Sequence, residues 1–261
     1  MAAAALITGA SRGLGRGIAV SLARAGYSLA LGYRANEHAA TATQQACQEA
    51  TGGASAAAAQ DFTIHRADIG NPDDRQRLVD EALDAFPDLD ILVNNAGIAP
   101  RQRLDLIDST EQSFDEVWAC NLSGPHFLTQ LLARRWLESP RPGSRSVVFI
   151  TSISAEYASP TRPEYCISKA ALSMSRQLWA ARLAQEDVSV FEIRPGIMET
   201  DMTAGVKEPY DSLIAEGLVP QRRWGQPSDV GDAVAAMVSG AFQFSQGTVV
   251  DVDGGFALKR L

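Results

Sequence analysis

Cysteine and histidine are both scarce here, with three of each in 261 residues. Cys47, Cys120 and Cys166 are scattered and form no CxxC pair, which argues against a disulfide framework and against a zinc site. His38, His65 and His126 show no ligand spacing either, so no metal is expected. Basic charge is also short, at 23 Lys and Arg against 31 Asp and Glu, a net charge of −8. Nucleic acid and anionic membrane both attract basic surfaces, so neither is an expected partner. The opening MAAAALITGA is apolar but short, lacks a basic leading region and runs straight into glycines. It reads as a first strand rather than a signal peptide or membrane span. Unpaired thiols without a leader predict a reducing, cytoplasmic setting.

What is present is ordinary for a soluble globular chain: 46% hydrophobic and 21% charged residues. Short β-type runs alternate with helix-length segments. Strands are expected at Ala4 to Thr8, Ser28 to Tyr33, Thr63 to Ala67, Ile91 to Asn95, Ser146 to Thr151, Val188 to Ile193 and Thr248 to Val252. Most are apolar throughout, as parallel strands covered on both faces must be. Asn71-Pro72 and Pro227-Ser228-Asp229 carry helix-start chemistry. The pattern predicts a single doubly wound α/β domain of Rossmann type over residues 1–261, with a mostly parallel seven-stranded sheet. Two stretches stand apart. Gly52 to Gln60 is a low-complexity loop, and residues 202–223 form a connection long enough to be a lid over a site.

TGASRGLG, Thr8 to Gly15, lies between the first strand and the first helix. Gly9, Gly13 and Gly15 permit a tight turn that lets a pyrophosphate reach the helix N-terminus, although the spacing is GxxxGxG rather than GxGxxG. The second strand ends GYRANE, without the aspartate that would hold a ribose 2′-hydroxyl. Arg34, and Arg12 within the turn, are candidates for a 2′-phosphate. NADP(H) is therefore expected ahead of NAD(H), with Glu37 leaving room for a mixed preference.

EYCISKA sets Tyr165 and Lys169 four residues apart, on one helix face. A free phenol ionises at about pH 10. A fixed ammonium beside it stabilises the phenolate and suits the phenol to acid-base work near neutrality.

These pieces together resemble the short-chain dehydrogenase/reductase family over nearly the whole chain. The likeness rests on TGASRGLG, Asp68, NNAG (Asn94 to Gly97), Asn121, Ser152 thirteen residues before Tyr165, YCISK, RPGIMETDM (Arg194 to Met202) and VDGG near the C-terminus. It implies a catalytic set of Asn121, Ser152, Tyr165 and Lys169. Tyr165 would exchange a proton with the substrate oxygen, Ser152 would hold that oxygen, and Lys169 would support Tyr165 and bind the nicotinamide ribose. The hydride would come from the cofactor. The resemblance also implies cofactor contacts at Thr8, Gly9, Ser11, Arg12, Gly13, Leu14 and Gly15 in the turn, and at Arg34. Asp68 would contact the adenine, Asn94 and Gly97 would line the cofactor path, and Thr200 would contact the carboxamide. Ile69, Asn95, Ala96, Pro195 and Gly196 complete the cofactor positions. The helix expected from about Ser113 to Leu137 adds an argument from chemistry. Pro125 lacks the N–H that would bond the Asn121 carbonyl, which frees that carbonyl to hold a water, and the resemblance implies that such a water belongs to a proton relay from Lys169 to solvent.

From Val117 to Leu132 this helix has no charged residue, so burial on both sides is expected, and relatives dimerise through it and the Tyr165 helix. A homodimer or homotetramer follows from the resemblance. Within the family the chain is most similar to members of the 3-oxoacyl-[acyl-carrier-protein] reductase type. That implies reduction of a ketone to a secondary alcohol, with an acyl carrier protein as candidate partner reached through Arg134, Arg135, Arg141 and Arg145. An NAD(H)-linked sugar or polyol dehydrogenase is the alternative. A non-catalytic dinucleotide-binding module is disfavoured, because the catalytic set is intact. Met198, Met202, Val206, Tyr210 and Leu213, facing Glu156, Tyr157 and Arg162, suggest a lid suited to a moderately apolar small molecule.

Overall fold

The strands form where branched and aliphatic residues run without interruption: β1 (Ala4–Ile7), β2 (Ser28–Tyr33), β3 (Phe62–Arg66), β4 (Leu89–Asn94), β5 (Arg145–Ile150), β6 (Val188–Pro195) and β7 (Val249–Val252). They line up in the order β3-β2-β1-β4-β5-β6-β7, every neighbouring pair parallel. The structure is a computed structural model describing residues 3–51, 60–140 and 143–259. Gly52 to Ala59 of the expected loop, and Arg141, lie outside the described residues.

Helices α1 (Gly13–Arg24), α2 (Glu37–Ala50), α3 (Pro72–Ala85), α4 (Glu111–Trp118), α5 (Gly124–Glu138), α6 (Pro163–Leu183), α7 (Lys207–Ala215) and α8 (Pro227–Val238) join the strands. Successive strand side chains point to opposite faces. Leu6, Leu92, Val147 and Phe149 therefore pack on α3, α5 and α6, through Leu78, Leu128, Leu132 and Leu172. Ile7, Leu31, Val93, Val148 and Ile193 pack the other way on α1 and α8, through Ile18, Leu22, Val230 and Val234. Each such burial contributes about 1.5–3 kcal/mol. That is why these strands read as continuous apolar runs.

The helix starts behave as their sequences ask. Asn71 Oδ1 accepts the Asp73 and Asp74 N–H groups at 2.8 and 3.2 Å ahead of Pro72. Gln226 caps α8 together with Asp229. Strand ends other than those of β2 shift by up to two residues, and two departures from expectation matter for the site. β6 continues through Arg194 and Pro195, because Arg194 sits in register with Asp251 and its charge is met by Glu192. The long helix expected around Asn121 is instead α4, a π-helical turn at Ala119–Ser123, and α5. The Gly124 N–H reaches back to the Ala119 carbonyl, and this extra residue accommodates Pro125. The expected lid contains α7. Its Tyr210 meets Trp224 edge to face at 6.1 Å, and the Trp224 indole donates to Asp211 at 2.6 Å. Among the described residues no helix is long and apolar enough to cross a membrane.

Candidate active site

β1 ends in a turn built for glycine. Gly9 (φ 66°) and Gly13 (φ 53°) lie in the left-handed region, where a β-carbon is strained. A β-carbon on Gly15 would come within 2.1 Å of the Gly9 carbonyl oxygen. Thr8 Oγ1 accepts the Asn95 and Ala96 N–H groups, both at 3.0 Å, and Asn95 Nδ2 donates back to the Thr8 and Gly9 carbonyls at 2.9 and 3.2 Å. The turn is thus stapled to the end of β4 where the strand order reverses, the place where open α/β sheets bind ligands. Helix α1 starts without a capping side chain and without an acid in its first turn. At Gly13 the helix start borders a groove lined also by Arg16, Gly17, Thr200, Asp201 and Pro227. An uncapped helix start of this kind takes an anion, so the turn fits a dinucleotide pyrophosphate.

The remaining expected cofactor positions spread along the same edge of the sheet. Arg34 is exposed, and its side chain has no hydrogen-bond partner among the described residues. Arg66, which the sequence reading missed, donates from Nε to the Arg34 carbonyl at 3.3 Å and brings a second guanidinium to this edge. Burial, with the Glu37 carboxylate nearby, raises the Tyr33 phenol above its usual range. Asp68 accepts the Gly70 N–H at 2.9 Å, and Ile69 is buried beside Gly124. Past β6, the Gly196 N–H donates to Val252 at 3.0 Å, and Thr200 lies opposite Gly13. The Ser11 carbonyl accepts from Thr43 at 3.2 Å, which fixes the turn to α2.

The four residues expected to do chemistry come from three elements. Tyr165 and Lys169 lie on the inner face of α6, with Lys169 Nζ 5.7 Å from the Tyr165 ring centroid. Lys169 is 4% exposed and donates to the Ile150 carbonyl at 3.0 Å, which ties α6 to the end of β5. It makes no ion pair among the described residues. Asn121 is fully buried in the π turn. Lys169 Nζ and Asn121 Oδ1 both border Gly97: a β-carbon there would approach each to 3.4 Å. Ser152, buried just past β5, accepts the Ser154 N–H at 3.1 Å. The set therefore surrounds the loop that leaves β4, next to the glycine turn.

A buried ionic network underlies this set. Glu192 on β6 is 0% exposed and accepts from Thr151, Ser173, Arg176 and Arg194 at 2.7–2.9 Å. Burial opposes its ionisation, but Arg194, Thr151 and Ser173 outweigh it and hold the carboxyl below the usual range. Arg194 continues to Glu156, and Arg176 to the Gly247 carbonyl. One carboxylate thus links the residue before Ser152, the back of the Tyr165 helix and the β7 edge. The sequence reading did not find it, because its partners are distant along the chain.

Several expectations need correction. The Asn94 side chain does not line a cofactor path. It is buried and donates to Thr129 in the core at 2.9 Å, because its position in β4 faces α5. Arg12, a candidate phosphate ligand, is turned to Asp201 at 3.2 Å on the surface. Two of the arginines expected to form an entrance patch lie elsewhere. Arg135 pairs with Asp80, and Arg145 is buried at the start of β5 against Trp136, at the opposite end of the sheet from the site. Within the single chain α5 leaves Phe127 exposed, so cover on that side would have to come from a second copy. Of the residues expected to make the lid apolar, Met198 is buried, whereas Met202 and Leu213 are exposed. Cys166 is half-buried, and Cys120 is buried with its thiol pushed up to about 11. No metal-ligand cluster occurs among the described residues.

Comparison with known proteins agrees with this architecture. The family model described as enoyl-(acyl carrier protein) reductase matches residues 9–257. The 3-oxoacyl-[acyl-carrier-protein] reductase FabG of Staphylococcus epidermidis is 30% identical over 251 residues, covering 96% of this chain and 97% of that protein. A 2-dehydro-3-deoxy-D-gluconate 5-dehydrogenase of Dickeya dadantii is 31% identical, covering 97% and 94%. Among solved structures, a 3-oxoacyl-[acyl-carrier protein] reductase from Brucella melitensis in complex with NAD superimposes with a TM-score of 0.93 at 38% identity, over 100% of this chain and 99% of that one. A doubly wound parallel sheet, a glycine turn at its switch point and relatives matched nearly end to end lead to one assignment: the chain belongs to the short-chain dehydrogenase/reductase family, oxidoreductases that interconvert carbonyl and alcohol groups with NAD(P).

Proposed function

We propose that the protein is an NADP(H)-preferring carbonyl reductase that works without a metal on a small ketone or the corresponding secondary alcohol. The observation that carries this reading is Lys169: a buried ammonium with no carboxylate partner among the described residues, fixed 5.7 Å from the Tyr165 ring and bordering Gly97. An ammonium placed there stabilises negative charge on the phenol oxygen as its proton leaves. Tyr165 accordingly gives its proton to the substrate oxygen in reduction and takes it back in oxidation. Ser152 holds the same oxygen through its hydroxyl as charge builds up. Lys169 also binds the nicotinamide ribose, and the Asn121 carbonyl holds a relay water that returns a proton to Lys169. When bound, the nicotinamide supplies or accepts the hydride.

The preference for NADP(H) is supported by two guanidiniums, Arg34 and Arg66, at the tips of β2 and β3, and by the lack of an aspartate at the end of β2. The acyl-carrier-protein reading loses its basic entrance patch, because Arg135 is paired and Arg145 is buried far from the site. The Dickeya relative, named for a sugar-acid substrate, keeps the sugar or polyol dehydrogenase reading in view. A homodimer or homotetramer in the cytoplasm is part of the proposal. Its support is the apolar face formed by Phe127, Ile167, Met174 and Leu178.

The test is initial-rate oxidation of NADPH and NADH with an acetoacetyl thioester, simple ketones and ketoses, for the wild type and Tyr165→Phe. Turnover should fall by at least about 10³-fold in the variant, within the range ascribed to general acid catalysis, while NADPH binding persists. Retained turnover in Tyr165→Phe would remove Tyr165 from the chemistry.

A further inference from the structure

Arg162 is the N-cap of α6, set there by Pro163 at the first helical position. Its guanidinium carbon lies 5.2 Å over the Tyr165 ring, and Nη2 donates to Ser154 Oγ at 3.0 Å. Ser154 in turn donates its N–H to Ser152. Arg162 therefore contacts Tyr165 directly and reaches Ser152 through Ser154.

Its charge is not compensated. The other arginines drawn into the protein interior have strong acceptors: Arg176 and Arg194 bind Glu192, Arg75 binds the Ile69 carbonyl, and Arg145 binds the Trp136 and Ser139 carbonyls. Among the described residues, the Arg162 guanidinium donates to a neutral hydroxyl and to no carboxylate or carbonyl. Nε is buried without a partner, whereas Nη1 has no partner and remains open to solvent. The nearest acid along the helix, Glu164, is directed to Ser113 on α4 at 2.5 Å instead. A guanidinium that has lost part of its water and gained no counter-charge is unfavourable on its own. It becomes favourable when a ligand brings the anion, and a planar carboxylate suits the guanidinium fork.

Resting on the carbonyl-reductase reading above, we infer that Arg162, steadied by Ser154, is a substrate-binding residue that recognises a carboxylate, and that the substrate is an oxo acid or the matching hydroxy acid. A thioester has no carboxylate at this position. The site thus favours free acids over thioesters and esters, and it orients the ketone with its oxygen toward Tyr165 and Ser152 while the acid end lies on Arg162.

The experiment uses the full chain with saturating NADPH and a set of short oxo acids, their carboxylates one to four carbons from the ketone, each paired with its methyl ester. In the wild type, kcat/KM for at least one acid should exceed that of its ester by about tenfold or more. In Arg162→Gln that ratio should collapse toward unity, mainly through the KM of the acid, and Arg162→Lys should restore part of it. Equal wild-type rates for acid and ester, or a loss in Arg162→Gln that is the same for both, overturns the inference and leaves the reductase reading standing. Calorimetric titration of the NADP-loaded protein separates the two proposals where turnover is absent. Oxo-acid binding that depends on Arg162 supports the subsite and sinks the reductase reading, and no acid binding overturns the subsite.

Discussion

The Asn121 side chain clasps the main chain of Ile98 from both sides, accepting its N–H at 2.8 Å and donating to its carbonyl at 2.9 Å. It also donates to Ser168 Oγ at 3.1 Å, and Ser168 donates to the Tyr165 carbonyl at 2.8 Å. A single amide therefore joins the loop after β4, which carries Gly97, to the helix that carries Tyr165 and Lys169. The π turn is what delivers it. The extra residue in the helix rotates position 121 inward, where an α-helical continuation into Pro125 would have met a steric clash.

Asn121→Ala should consequently do two things at once. Two hydrogen bonds to the Ile98 main chain disappear, at a cost of about 2 to 4 kcal/mol. The urea midpoint should fall, and the KM for the cofactor should rise because Gly97 loses its anchor. A variant with wild-type stability and an unchanged cofactor KM would show that the clasp is dispensable.

Glu192→Gln tests the ionic network. Removing one partner of a fully buried pair costs about 3–5 kcal/mol, since Arg194 and Arg176 are left without their carboxylate. The sign with pH follows from the lowered position of Glu192. Its contribution is present above the usual glutamate value of about 4.3 and is lost as pH falls through the folded-state value below that. Wild-type stability should therefore decline on acidification below about pH 4.3 with a component that Glu192→Gln lacks. Superimposable stability curves for the two proteins in acid would contradict this.

Much of this could be read in the sequence because the relevant forces are local. β2 was legible to the residue: six consecutive residues buried on both faces make an uninterrupted apolar run. The glycine turn and the Tyr165–Lys169 spacing were legible because steric freedom and helical periodicity act over a few residues. The Glu192 network was not, since its partners come from positions 151, 173, 176 and 194, and a glutamate in a strand looks the same whether it is solvated or paired. Arg134, Arg135 and Arg145 misled for the opposite reason: proximity in sequence looked like a patch, although α5 runs back to the far end of the sheet before β5 begins. Arg162 carried a readable signal in the Pro163 that follows it. A helix starting at 163 puts residue 162 within one turn of Tyr165.

Cofactor choice turns on the tips of β2 and β3. Replacing Arg34 by Glu puts a negative charge where a 2′-phosphate is expected and removes a donor worth about 1.5–3 kcal/mol to a charged group. The kcat/KM ratio of NADPH to NADH should drop by at least about tenfold, since tenfold corresponds to about 1.4 kcal/mol. An unchanged ratio would shift the role to Arg66, for which Arg66→Glu is the companion variant.

The apolar face on α6 gives the last test. Ile167, Met174 and Leu178 recur with the spacing of one helical stripe and are 46%, 54% and 61% exposed, with Phe127 of α5 exposed as well. Helices α5 and α6 are themselves joined through His126 and Ser175 at 2.8 Å, so both helices bring apolar side chains to this side of the sheet. Large apolar groups gathered on one surface are the mark of an interface rather than of a free surface. Leu178→Glu leaves the core of the single chain untouched, because the side chain points away from it, so circular dichroism should not change. In a two-fold contact each copy would carry the new charge into the same patch as its partner, and the dimer should dissociate at micromolar concentration in sedimentation velocity. A wild-type chain that sediments as a monomer, or a Leu178→Glu variant that still associates, would mean that this stripe is not the contact. The Tyr165 helix would then be held in register from within the chain, by Asn121, Glu192 and the Lys169 bond to Ile150.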